Sequence, residues 1–137
     1  MQGFHWFLSA LSRPFTYKGR ARRAEFGWFM LIFNIIAIPI TLLSADSPFL
    51  YYLFILVYIF PSISVTTRRL HDLGFSGWLQ IPLNLLELYL FVTPTSVNSM
   101  NGLMIMTVIV FAILCYLALK DGERRDNEYG KDPKALA

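Results

Sequence analysis

Cysteine occurs once in the 137 residues, at position 115, so neither a disulfide framework nor a thiolate metal site forms within one copy. Histidine is almost as scarce. With only His5 and His71, a metal centre built on imidazoles lacks ligands, and no cofactor or metal is expected. No glycine-rich phosphate cradle and no nucleophile elbow is present. The first eleven residues lack the basic n-region and small-residue cleavage site of a secretory signal, so the chain is expected to be retained whole. Charge is thin too: charged side chains make up 15% of the residues, against roughly 25% in an ordinary soluble domain.

Apolar residues fill the space, at 55%, with aromatics at 16%. They lie in long blocks, where a soluble core would spread them along one face of each element. That pattern belongs to an all-α, polytopic integral membrane protein of a single domain. The basic residues are segregated. Five fall between Arg13 and Arg23, two are Arg68 and Arg69, and five fall between Lys120 and Lys134. The connections at 44–48 and 93–101 carry none. A nucleic-acid binder would not sort its charges so, whereas a membrane protein obeying the positive-inside bias does.

Taken in order, residues 2–12 place Phe4, Phe7, Leu8 and Leu11 at helical spacing and are too short to span, which predicts an amphipathic helix lying in the interface. A basic juxtamembrane segment follows. Spans are predicted at about 26–43, 49–65, 78–92 and 102–119, and 120–137 forms a polar tail. Pro39 predicts a kink or an unwound last turn in the first span. The third span is short and carries Gln80, Pro82, Asn84 and Glu87. Were it re-entrant, the tail would lie opposite the other basic segments. Four crossings put all twelve cations on one side, so both termini and the 68–76 loop are expected in the cytoplasm.

The stretch 68–78, Arg-Arg-Leu-His-Asp-Leu-Gly-Phe-Ser-Gly-Trp, is the most densely functionalised. Arg68 and Asp72 are four apart and would pair on a helical extension of the second span. Gly74 and Gly77 permit left-handed backbone or close approach. One reading is a headgroup-level anion site; the other is a set of charges that fixes topology. His71 beside Asp72 also suggests an acid/base pair, the third-ranked reading, and no enzyme activity is expected. Gln80, Asn84 and Glu87 fall on one helix face, with Asn34 and Thr41 on the first span and Tyr58 and Ser62 on the second as partners. They form an intramembrane polar path for a small transporter or proton-coupled channel, interhelical hydrogen-bond glue, or, for Glu87, a side chain snorkelling to the outer surface. In the tail, 126–133 spaces its acids like a calcium loop, but the glycine is misplaced and no downstream Glu follows. A turn folding back on the basic loop is expected there.

Three segments, Gly19-Arg20-Ala21-Arg22-Arg23-Ala24-Glu25-Phe26, the 68–78 stretch and Asn127-Glu128-Tyr129-Gly130-Lys131-Asp132-Pro133, occur in this order. Together they resemble the bacterial "domain of unknown function 805" family of small inner-membrane proteins. The resemblance implies a four-span inner-membrane protein and brings no catalytic residues. It departs from the family pattern at Asp121-Gly122-Glu123-Arg124-Arg125, where a Pro-Gly-rich lead is usual, and the Glu87 stripe lies outside the signature. The residues themselves suggest a cytoplasmic-side platform of Arg20, Arg22, Arg23, Glu25, Arg68, Arg69, His71 and Asp72, with Asp132 as a further acid. The expected role is a non-enzymatic membrane component that binds anionic lipid headgroups or a partner protein there, as a homo-oligomer or within a larger membrane complex, without nucleic acid.

Overall fold

The computed structural model describes residues 2–43, 48–92 and 100–135. Among these the fold is all-α: α1 Gln2–Leu11, α2 Arg23–Leu43, α3 Pro48–Asp72, a single 3₁₀ turn Gly77–Leu79, α4 Gln80–Val92 and α5 Met100–Leu119. The connections without basic residues, expected at 44–48 and 93–101, fall, at 44–47 and 93–99, outside the described residues.

α2, α3 and α5 contain three segments long and apolar enough to cross a membrane, Arg23–Leu43, Phe49–Asp72 and Gly102–Leu119. α4 has 13 residues, which is about 20 Å of helix against a hydrocarbon core of about 30 Å. The helices pair antiparallel in sequence. Glu25 meets Arg68 and Met30 meets Tyr58 across α2 and α3. Ser62 meets Asn84 and Tyr58 meets Glu87 across α3 and α4. One end of the bundle therefore holds the start of α2, the end of α3, the start of α4 and the end of α5, where Arg69 reaches the Leu117 carbonyl.

Two sequence expectations need correction. The second span does not stop at residue 65: α3 runs on to Asp72, so Arg68–Asp72 is helix, not loop. It continues because its last turns are wrapped by other segments, and the polar side chains there find partners inside the protein. α2 also continues through Pro39 to Leu43, so the unwound last turn does not occur. α3 then ends in a Schellman cap. Phe75 N–H donates to the Leu70 carbonyl at 2.9 Å and Gly74 N–H to that of His71 at 3.1 Å. The cap requires the left-handed φ of +75° that Gly74 supplies.

Because lipid tails are as apolar as leucine, close packing and polar bonds hold such helices together. Phe33 sits at the centre of an aromatic cluster, 4.8 Å from Phe29, 5.3 Å from Tyr58, 5.4 Å from Phe7 and 5.8 Å from Phe54, ring centre to ring centre. α1 joins it by burying Phe7 and Ala10 against the bundle. Gly3 lets it lie close on Trp28, since a Cβ at that position would come within 2.5 Å of the indole. Of the apolar face expected for α1, Phe4 and Leu8 point outwards and stay exposed. Ser64 fastens the following connection by donating to the Arg13 and Thr16 carbonyls, at 2.7 and 2.8 Å.

Candidate functional site: an ionic clasp at one end of the bundle

Arg20 lies on the connection into α2, and Asp72 closes α3. Arg20 Nε donates to Asp72 Oδ1 at 3.0 Å, and Arg69 Nη1 takes the second carboxylate oxygen. All three side chains are 2% exposed or less. The Arg68–Asp72 pair expected from the i, i+4 spacing does not form. One residue along a helix turns the side chain by about 100°, so Arg68 faces α2 instead. There its Nη1 donates to Glu25 Oε1 at 2.7 Å, and both side chains are buried.

Further donors of Arg20 and Arg69 go to main-chain oxygens of the C-terminal segment. Arg69 Nε donates to the Leu117 carbonyl at 2.7 Å and its Nη2 to that of Lys120. Arg69 thus caps α5, where the helix dipole leaves unpaired acceptors and favours a cation. Arg20 Nη1 donates to the Arg125 carbonyl at 2.6 Å, and its Nη2 to that of Glu123. Arg22 reaches the Pro133 carbonyl and lies 5.6 Å from the centre of the Trp6 ring, a cation–π distance. The tail answers with its own donors: Glu123 N–H to the Asp72 carbonyl at 2.9 Å, and Asn127 Nδ2 to that of His71 at 2.9 Å. The expected turn, Asn127 to Gly130, does fold back on the basic segment.

His71 donates from Nδ1 to the Gly19 carbonyl at 3.1 Å, while the parallel ring of Tyr129 covers it at 4.0 Å. Gly77 passes close by, and a Cβ there would come within 2.7 Å of His71 Nε2. His71 therefore contacts Gly19 and Tyr129, and Asp72 serves two arginines, so their adjacency in sequence makes no acid/base couple. Arg23 stays at the surface, 3.2 Å from Asp121. The hydrogen bond from Lys134, with the charges of Arg23 and Lys134 adding to it, holds the Asp121 carboxyl below the usual carboxylate range. Asp132 is buried, but its carboxylate accepts from the Lys134 N–H and forms no ion pair among the described residues.

Three buried guanidiniums, those of Arg20, Arg68 and Arg69, are thus paired with two carboxylates. The excess lies at Asp72, which two guanidiniums share; Arg68 has Glu25 to itself, yet its Nε and Nη2 are buried without a hydrogen-bond partner among the described residues. No group of His, Cys, Asp and Glu among the described residues is placed to hold a metal ion.

The third-span stripe forms a separate polar centre. Tyr58 Oη donates to Glu87 Oε2 at 3.1 Å, and Ser62 Oγ to Asn84 Oδ1 at 3.2 Å. Asn84 Nδ2 turns back to the Gln80 carbonyl at 2.9 Å and to the Gln80 amide oxygen at 3.1 Å. Glu87 is 6% exposed, so it does not snorkel outwards. Asn34 and Thr41 donate to carbonyls of their own helix, those of Met30 and Ala37.

Sequence reasoning missed the receiving half of the clasp. The carbonyls of Leu117, Lys120, Glu123, Arg125 and Pro133 carry no side-chain signature, and Gly122, buried against Asp72, looks like any tail glycine.

Residues 14–131 match the model of a family described as proteins of unknown function, DUF805. The chain is also similar to the inner membrane protein YhaI of Escherichia coli K12. The two are 30% identical over 133 residues, covering 94% of this chain and 95% of that protein. The same values hold for YhaI of Escherichia coli O157:H7. No solved structure matches. The family match takes in the first two of the segments that build the clasp, the third as far as Lys131, and all of α2 to α5. The chain therefore belongs to the DUF805 family and is a multi-pass protein of the inner membrane.

Proposed function

We propose that the protein is a non-enzymatic, four-span membrane component whose clasp end faces the cytoplasm and binds anionic lipid headgroups. The observation that carries this is the exposed pair Arg13 and Lys18 beside the clasp, whose own three buried guanidiniums on two carboxylates add positive charge at the same end. The surroundings suit a headgroup layer. Phe4, Leu8, Phe15 and Tyr17 are exposed along α1 and the connection after it, with Arg13 and Lys18 exposed among them. Apolar side chains that enter the acyl boundary beside free cations are the makings of an interfacial anchor.

The four-crossing topology draws support from the pairing of the helices. α4 begins at the end where α5 finishes, so the chain returns through the bundle between them. With the clasp end in the cytoplasm, both termini lie there too. In a Cys115→Ser background, an impermeant maleimide is expected to label Ser96→Cys in intact spheroplasts and Lys131→Cys only in inverted vesicles. The opposite pattern would refute the topology.

Lipid binding is tested by native mass spectrometry of the detergent-purified protein with added phosphatidylglycerol. Each surface cation contributes on the order of 1 kcal/mol, so the Arg13→Ala/Lys18→Ala double variant is expected to hold the lipid about tenfold more weakly or worse. Unchanged retention, or copurification of a protein partner without lipid, would turn the reading from a headgroup site to a protein-docking surface.

A further inference from the structure

Away from the clasp, a cleft of about 310 Å³ opens between α2, α3, α4 and α5. Its walls are mostly carbon, with the rings of Phe33, Phe54, Tyr58 and Phe111 among them. α4 contributes Glu87 to it, while Asn84, bonded to Gln80 and Ser62, and Gln80 itself do not line it. The Glu87 carboxylate accepts one hydrogen bond, from Tyr58, and belongs to none of the ion pairs among the described residues. Phe111, at the edge of the cleft, is 66% exposed on the surface that meets lipid.

We propose that this cleft binds a lipophilic organic monocation, an ammonium or phosphonium on an apolar body, with Glu87 as its counter-ion. A buried acid in the hydrocarbon region calls for a partner of opposite charge, and the clasp arginines form their ion pairs with Asp72 and Glu25. The walls choose among cations. Calcium and magnesium need six or more oxygen ligands, counting water, and the cleft offers mainly carbon. Ring faces attract an organic cation, and an apolar body replaces lipid at little cost. The volume lies at the small end of the roughly 300–1,000 Å³ range of small-molecule sites, which suits a body of one to three rings. The site is independent of the headgroup reading of the clasp, and either stands without the other.

The test uses the full chain in nanodiscs of zwitterionic lipid, with methyltriphenylphosphonium as the probe and triphenylphosphine oxide as its neutral counterpart of similar shape. Calorimetry is expected to show one saturable site for the cation. Removing one partner of a buried charge pair predicts about thirtyfold weaker binding, or worse, in Glu87→Gln. Glu87→Asp, which keeps the charge, is expected to restore most of the affinity. No saturable binding, equal binding by Glu87→Gln, or equal binding of the neutral oxide would overturn the proposal. Should Glu87→Gln melt early, the wild-type protein supplies the answer alone. The cation should then protect Glu87 from modification by dicyclohexylcarbodiimide, as mapped by peptide mass spectrometry, and absence of protection would overturn it equally.

Discussion

Asp72→Ala is expected to destabilise the protein by about 3–5 kcal/mol, the cost of leaving buried charges without their partner. Among the described residues it is the one acid within ion-pair distance of Arg20 and Arg69. Its two carboxylate oxygens are shared between Arg20 and Arg69, and Glu25 is engaged by Arg68. The loss would spread. Arg20 and Arg69 also hold carbonyls from Leu117 to Arg125, so a guanidinium that swings towards water releases the end of α5 and the tail together. A fall in melting temperature of roughly 10 °C or more in detergent is expected, with new proteolytic cleavage between residues 120 and 134. Asp72→Asn, which keeps one acceptor oxygen and loses the charge, should fall between. A variant that melts with the wild type would show that the clasp contributes nothing to stability.

The second large effect is expected at Gly122, a position with no chemistry of its own. A Cβ there would stand 1.9 Å from Asp72 Oδ2 and 2.4 Å from its Cγ. Such an overlap is cheap only when the side chain it meets can move, and Asp72 is fastened by two arginines. The tail backbone must withdraw instead, which strains the hydrogen bonds that Arg20 and Arg69 make to it. Gly122→Ala is expected to cost about 3 kcal/mol, the upper end for overpacking a tight site. Gly27→Ala is the control, since a Cβ at that helical position meets nothing within 4 Å. It should be neutral or stabilising by up to about 1 kcal/mol through helix propensity. The two large effects must also couple. In an Asp72→Ala background the obstruction is gone, so adding Gly122→Ala should cost much less than it does alone. Additive costs would mean that Gly122 acts through some contact other than Asp72.

Much of the architecture was legible in the residues because its signals are carried by side chains. Long apolar runs show which segments are helices in lipid, and the segregation of twelve cations into three places marks one end of the bundle. The convergence of Tyr58 and Ser62 with Glu87 and Asn84 follows from helical spacing once two helices lie antiparallel. The end of α3 was harder to read. A run of Thr, Thr, Arg, Arg resembles a loop leaving the membrane, yet it stays helical because the 13–21 connection and the tail shield it. The Arg68–Asp72 spacing suggested a pair along one helix. The acid on α2 lay nearer to Arg68, while Asp72 lay within reach of Arg20 from a distant segment.

By itself the sequence determined that this chain lives in a membrane, where its helices run, which residues gather at one end and which family it resembles. Those are consequences of hydropathy, periodicity and charge, and each can be read one residue at a time. Only the tertiary structure decided that Arg20 and Arg69 share Asp72, that Arg68 is left short of acceptors, and that Glu87 rather than its whole stripe faces the cleft. Pairing depends on distance between segments remote in the chain. Most of the clasp's acceptors are also peptide carbonyls, which every residue carries and no letter of the sequence distinguishes.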